Sequence, residues 1–184
     1  MNKNLLKEIV IKLQKLGCDE SDVFFSKVDT ISSSSRLGKI EKTEKSSVSE
    51  IGIRAIINKR QSIVSTTNLE KSNINILIDK AFQMAKVVPK NKFCGLAEPK
   101  RIKKVEKSEI KKLKIYDSFE PSIEMIKEKV ISLEESALAN KKINNSEGAE
   151  IAFSKNSFCL LGSNGLEIEM EKTHSDYIIA VLAG

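Results

Sequence analysis

Between Ile51 and Val88 the hydrophobic period switches from strand-like to helix-like, and that switch limits what the chain can fold into. Ile51, Ile53, Ala55 and Ile57 recur at every second position, the pattern of a half-buried strand. Asn58-Lys59-Arg60 reads as a short hairpin loop, and Ser62 to Ser65 begins the return strand. Ile74, Leu77, Ile78, Ala81, Ala85 and Val88 then fall on one helical stripe. This predicts a helix from about Lys71 to Val87, closed by Pro89. A sheet and an amphipathic helix each bury one apolar side, so docking them together is the simplest core available.

The flanking sequence extends the same pattern. Leu6, Ile9, Val10, Leu13 and Leu16 form the stripe of a first helix over 3–16, with Gly17 placed to end it in a left-handed cap. Residues 22–65 are rich in Val, Ile, Ser and Thr and contain no proline. Four or five antiparallel strands are expected there, with Leu37-Gly38 as a turn and serines, including the Ser32–Ser35 run, on the wet face. Residues 89–119, with Pro89, Gly95, Pro99 and a lysine run, read as an irregular link. Glu120-Pro121 opens a third helix carrying Ile123, Ile126, Val130, Leu133 and Ala137, which ends near Asn140. The tail predicts two or three strands, with turns at Ser146-Glu147-Gly148 and Ser163-Asn164-Gly165, and it stops inside the apolar run YIIAVLAG. The expected fold is α+β, a curved antiparallel sheet packed by two or three helices. Three segments are expected: 1–88 as helix, sheet and helix; 89–119 as a basic link; 120–184 as helix and strands.

Composition narrows the function classes. The chain has 184 residues, 40% hydrophobic and 30% charged, which is ordinary for a globular protein. No apolar run is long enough for a membrane span, and the charged N-terminus lacks the apolar segment of a secretory signal. A cytoplasmic protein is expected. Cys18, Cys94 and Cys159 are scattered and form no CxxC pair, which fits free thiols in a reducing compartment. The net charge of +6 sits in one place: Lys100 to Lys114 holds eight basic and two acidic residues, and the remainder is balanced. Arginine occurs only at 36, 54, 60 and 101, and aromatic residues are 5% of the chain. Readers of base edges lean on arginine forks, so the lysine run reads first as a solvated connection and second as a nucleic-acid contact.

Self-sufficient catalytic chemistry is missing. One histidine, His174, cannot build a zinc site that needs three or four ligands. The motifs HExxH, HExxxH, GxSxG, GxxxxGK and GxGxxG do not occur. The Glu134-Glu135 pair is expected on a solvated helix surface. No catalytic, cofactor-binding or metal residue is assigned.

The order of signals nevertheless resembles a known family. Gly52, Arg54, Ser65 and Thr66 in GIRAIINKRQSIVST are followed by the second helix, Pro89, F-x-G-L at 93–96, N-S-E-G at 145–148 and S-N-G at 163–165. In that order they resemble the N-terminal half of the TldD/PmbA family, proteins first described as modulators of DNA gyrase and then as zinc metallopeptidases and their partners. FCGLAEP and the T-H-S at 173–175 are similar to the PmbA arm, also called TldE, which pairs with an HExxxH-bearing TldD arm. Where the family places a serine cap and a proline before the second helix, this chain has Glu70-Lys71, so Ser72 or Asn68 is expected to cap it.

The resemblance implies a non-catalytic portion of a PmbA/TldE-like protein, ending before the family's C-terminal domain. It would belong to an intracellular proteolytic complex acting on unfolded peptides, with zinc in a TldD-like partner and none in this chain; a homo-oligomer is the other expected assembly. Exposed strand edges, near 30–36 and near Ser163, are candidates for holding an extended peptide by strand addition. The competing readings are a nucleic-acid module using the 100–114 lysines, whose binding would fall steeply with salt, and a truncated remnant without independent function.

Overall fold

The computed structural model describes residues 3–103 and 106–183. Its elements follow the chain as α1 (Lys3–Leu16), β1 (Glu20–Arg36), β2 (Lys39–Ile57), β3 (Arg60–Thr66), α2 (Lys71–Val87), a 3-10 turn at Pro99–Arg101, α3 (Lys107–Lys112), α4 (Ile123–Leu138), β4 (Ile143–Gly162) and β5 (Glu167–Ala183). The strands form one five-stranded antiparallel sheet in the order β3-β2-β1-β4-β5. This is the α+β architecture that the two hydrophobic periods require.

Both early helices have the bounds their stripes predict. Leu6, Ile9, Val10 and Leu13 are the buried face of α1. Gly17, at φ 101°, donates to Gln14 O at 3.0 Å, and Cys18 N donates to Leu13 O at 3.0 Å. These are the paired bonds of a Schellman cap, which satisfy carbonyls the helix end would otherwise orphan. The N-cap residue of α2 is Glu70, whose side chain makes no capping hydrogen bond. Neither Ser72 nor Asn68 takes that role, because Asn68 Oδ1 accepts from Glu70 N at 3.0 Å in a turn of its own.

The strands are fewer and longer than their sequence suggests. Three strands, not four or five, cover residues 20–66, and two cover the tail. β1 and β2 run 17 and 19 residues, about three times the usual strand length. Leu37 and Gly38 form the first hairpin turn, at φ 49° and 72°. Asn58 and Lys59, at φ 48° and 62°, form the second, a loop that sets Ile57 opposite Arg60 and Ile51 opposite Thr66. Ser146-Glu147-Gly148 is not a turn between strands; it lies inside β4, with Gly148 at φ 113°. Serines are not confined to a wet face either. Ser33, Ser35 and Ser62 are buried, and each hydroxyl has a partner: Ser33 donates to Lys42 O at 2.9 Å and Ser62 to Ala81 O at 2.5 Å.

By contacts the chain divides into two compact units. The first comprises Met1–Lys27, Val48–Leu113 and Ser157–Met170, the second Val28–Ser47, Lys114–Asn156 and Glu171–Gly184. Long strands therefore contribute one portion to each. The first core packs Leu6, Ile9 and Leu13 of α1 and Ile74, Ile78 and Ala81 of α2 on Ile51, Ile53 and Ala55 of β2, with Val23 and Cys159. The second packs Ile126 and Val130 of α4 on Ala149, Ile151 and Phe153 of β4. Each buried large aliphatic contributes roughly 1.5–3 kcal/mol, so both cores have their own driving force.

Candidate functional site

Three consecutive residues at the start of β1 each hold a different part of the first unit. Glu20 Oε2 accepts from Leu96 N at 3.1 Å. Ser21 and Ser163 are bonded both ways: Ser21 N donates to Ser163 Oγ at 2.9 Å, and Ser163 N donates to Ser21 O at 2.7 Å. Asp22 accepts from Arg54 Nε, 3.1 Å to each carboxylate oxygen, and Arg54 Nη2 also meets Oδ2. Polar residues lead directly into the apolar Val23, so one short stretch starts the core and supplies acceptors to three neighbours.

The segment after Pro89 is fixed by this wall and by the β2–β3 turn. Asn91 N donates to Lys59 O at 2.7 Å, and Cys94 N donates to Asn91 O at 2.9 Å. Lys59 Nζ donates to Cys94 O at 2.9 Å, while the Cys94 thiol reaches Gln61 Oε1 at 3.4 Å. Asn164 Nδ2 donates to Ala97 O at 2.8 Å, tying the β4–β5 turn to the same segment. Gly95 sits where a Cβ would stand 3.2 Å from Glu20 Oε2 and 3.4 Å from Lys59 Nζ, so a larger residue would crowd both anchors. The segment read as an irregular link is therefore ordered at its start, and further on it carries the 3-10 turn and α3.

Electrostatically this is a clamp. The Asp22 carboxylate, through its hydrogen bonds, pushes the Arg54 pKa up, burial opposes this, and the guanidinium stays charged and paired. The Glu20 carboxylate and the Lys59 ammonium hold backbone, the Arg54 guanidinium holds Asp22 and the Cys94 thiol meets Gln61, so these contacts position chain.

The second unit has its own polar centre. Glu134, expected on a solvated surface, is 0% exposed. Its carboxylate accepts from Ser146 Oγ at 2.5 Å, Leu37 N at 2.9 Å, Gly38 N at 3.0 Å and Ser35 Oγ at 3.1 Å. Burial pushes its pKa up, but the donors Ser146, Gly38, Leu37 and Ser35 outweigh that and hold it below the usual carboxylate range. Glu135 is exposed, so only half of the pair matches its expected setting. The N-S-E-G stretch closes this centre, since Gly148 N donates to Ser146 Oγ at 2.9 Å.

The other residues singled out by sequence stay apart. His174 is exposed on β5, its Nε2 2.8 Å from Asp176 Oδ1. Cys18, Cys94 and Cys159 are free and buried; burial, with the Asp19 charge, pushes the Cys18 thiol up to about 11. Among the described residues no three His, Cys, Asp or Glu side chains are grouped to hold a metal ion. Within the lysine run, Lys100 and Arg101 contact Glu98, and Lys103 pairs with Glu109; Lys104 lies outside the described residues. Neither proposed peptide edge is an edge. Residues 30–36 belong to β1, which lies between β2 and β4, and Ser163 is already bonded to Ser21. No helix among the described residues is long and apolar enough to cross a membrane.

Residues 21–85 match the family model for PmbA/TldA metallopeptidase domain 1. The Metalloprotease PmbA homolog of Haemophilus influenzae is 28% identical over 130 residues, covering 70% of this chain. Over these spans the chain is similar to the TldD/PmbA family. Solved structures share its fold: TldE of Thermococcus kodakarensis at TM-score 0.77 and 21% identity over 97% of this chain, and a candidate modulator of DNA gyrase from Bacteroides thetaiotaomicron at 0.82 and 22% over 94%. The chain spans 28% of the H. influenzae relative's length and 39% of each of those solved chains.

Three of the four motifs that carry the resemblance meet in the first unit. Arg54 lies on Asp22, F-x-G-L on Glu20 and Lys59, and S-N-G on Ser21 and Ala97. Sequence reasoning picked out the motifs and missed their acceptors, Glu20 and Asp22. One signal was available: Arg54 is a charge inside an alternating apolar strand, which calls for a carboxylate partner.

Proposed function

We propose that this chain is a non-catalytic, PmbA/TldE-type portion that pairs with a metal-bearing TldD-type subunit in the cytoplasm and helps present unfolded peptide to it. The observation that carries this reading is how the polar groups around the motifs are used: Arg54 is paired with Asp22, Glu20 holds Leu96 N, Lys59 holds Cys94 O and Asn164 holds Ala97 O, which is the work of a scaffold. A single exposed histidine and three separate buried thiols support assigning the zinc, and the cutting of peptides, to another polypeptide. The buried free thiols also fit a reducing compartment.

The test is reconstitution with the HExxxH-bearing subunit of the same host. Peptide hydrolysis that a chelator abolishes should require that subunit and rise when this chain is added. Chelator-sensitive hydrolysis by the purified chain alone would overturn the proposal.

A further inference from the structure

Phe93 is 83% exposed, yet the backbone on both sides of it is fixed. Its own N–H donates to Asn91 Oδ1 at 3.0 Å, and the next residue, Cys94, is buried and bonded through N, O and Sγ. A large aromatic side chain gains most from leaving water, and this one is held outward by backbone that is hydrogen-bonded at Asn91, Phe93 and Cys94. Such presentation lowers the ordering cost of binding, because the loop has already lost its freedom. Within the segment the charge has one sign: residues 85–97 contain Lys86, Lys90 and Lys92 and no carboxylate, and the adjacent Glu20 is taken up by Leu96 N.

We propose that the Pro89–Ala97 loop is a docking element whose Phe93 ring enters an apolar pocket edged by carboxylates on a partner protein. The inference rests on the pairing proposed above and names the surface used for it. Lysines around an aromatic anchor suit a partner rim of opposite sign, which speeds encounter and selects against other partners. Lys92 Nζ lies 5.0 Å from the Phe93 ring centroid, so one ring face is already occupied by a cation. That arrangement fits entry into a pocket better than stacking on a nucleobase, which uses successive open aromatic faces along a groove. A second copy of this chain fits less well, because the carboxylates beside the loop are engaged: Glu20 accepts from Leu96, Asp22 from Arg54, and Glu98 pairs with Lys100.

Binding of the purified HExxxH-bearing subunit should be compared for the native chain, Phe93→Ala, and the double variant Lys90→Gln/Lys92→Gln. Phe93→Ala should weaken binding at least about tenfold, mainly through faster dissociation. The double lysine variant should associate more slowly and lose much of its salt dependence. Because the ring is exposed, the thermal melt of Phe93→Ala should match the native chain, which separates docking from folding. Equal binding by native chain and Phe93→Ala would overturn the docking element and leave the pairing standing. No binding by the native chain would overturn both. If Phe93→Ala instead abolishes self-association in ultracentrifugation, or binding to an oligo-dT probe, the assigned class of partner is wrong and the proposal falls.

Discussion

The hydroxyl of Ser146 donates to Glu134 Oε1 at 2.5 Å, and the same hydroxyl accepts from Gly148 N at 2.9 Å. One serine thus joins a buried carboxylate on α4 to the left-handed backbone inside β4. The other three donors to that carboxylate, Leu37 N, Gly38 N and Ser35 Oγ, belong to the first hairpin. A buried charge is tolerated when its lone pairs are filled, and here the filling ties helix, strand and turn of the second unit together.

Glu134→Gln should therefore destabilise the protein by about 3 kcal/mol at neutral pH, since charge-assisted bonds are lost and a buried amide N–H₂ faces donors. The pH dependence has a definite sign. The folded carboxyl titrates below its ordinary value, so its contribution is fully present above about pH 4.3 and is lost as pH falls through the lower folded pKa. Urea midpoints of native and variant chains should converge on acidification. A gap that stays constant from neutral to strongly acidic pH would contradict this role.

Gly148→Ala addresses the same centre through the backbone. Gly148 has φ 113°, and a Cβ there would stand 3.0 Å from Ser35 O. Strain and crowding should together cost roughly 2 kcal/mol. A thermal melt unchanged from native would show that the left-handed conformation is dispensable.

What could be read from sequence follows from how local each signal is. The bounds of α1 and α2 were legible because an uninterrupted apolar stripe ends at Gly17 in one case and before Pro89 in the other. Strand number was not, because Ser33 and Ser35 occupy core-facing positions with hydroxyls whose partners lie elsewhere. Polar residues hide alternation when their burial is decided by hydrogen bonds. Glu134 was misplaced for the same reason: its neighbours in sequence suggest a solvated face, whereas Ser35 stands 99 residues away. At the β1 wall, resemblance marked Arg54, F-x-G-L and S-N-G, but only the folded chain brings Glu20 and Asp22 to them.

The thiols give a chemical check on the first core, which holds both Cys18 and Cys159. Cys18 is pushed up to about 11 by burial and by the Asp19 charge, and burial raises Cys159 as well. Both should be protonated at pH 8 and shielded from reagent. Iodoacetamide followed by peptide mass spectrometry should label them slowly in the native protein and rapidly in urea. Rapid native labelling at either position would mean that its core opens readily.

Gly162→Ala tests whether the β4–β5 turn really positions the docking loop. A Cβ at Gly162 would collide with Asn164 Oδ1, so the amide must move, and Asn164 Nδ2 would then leave Ala97 O. The obstructing atom is the end of a side chain, so the strand itself should survive and global stability should fall by only about 1 kcal/mol. Amide exchange around Leu96 and Ala97 should accelerate while that of Val23 and Ile53, in the core, stays slow. Asn164→Ala should reproduce the effect, and adding it to Gly162→Ala should change little further, because both remove the same bond. Fully additive effects, or exchange confined to Gly162 itself, would show that the loop is held by Glu20 and Lys59 without help from the turn.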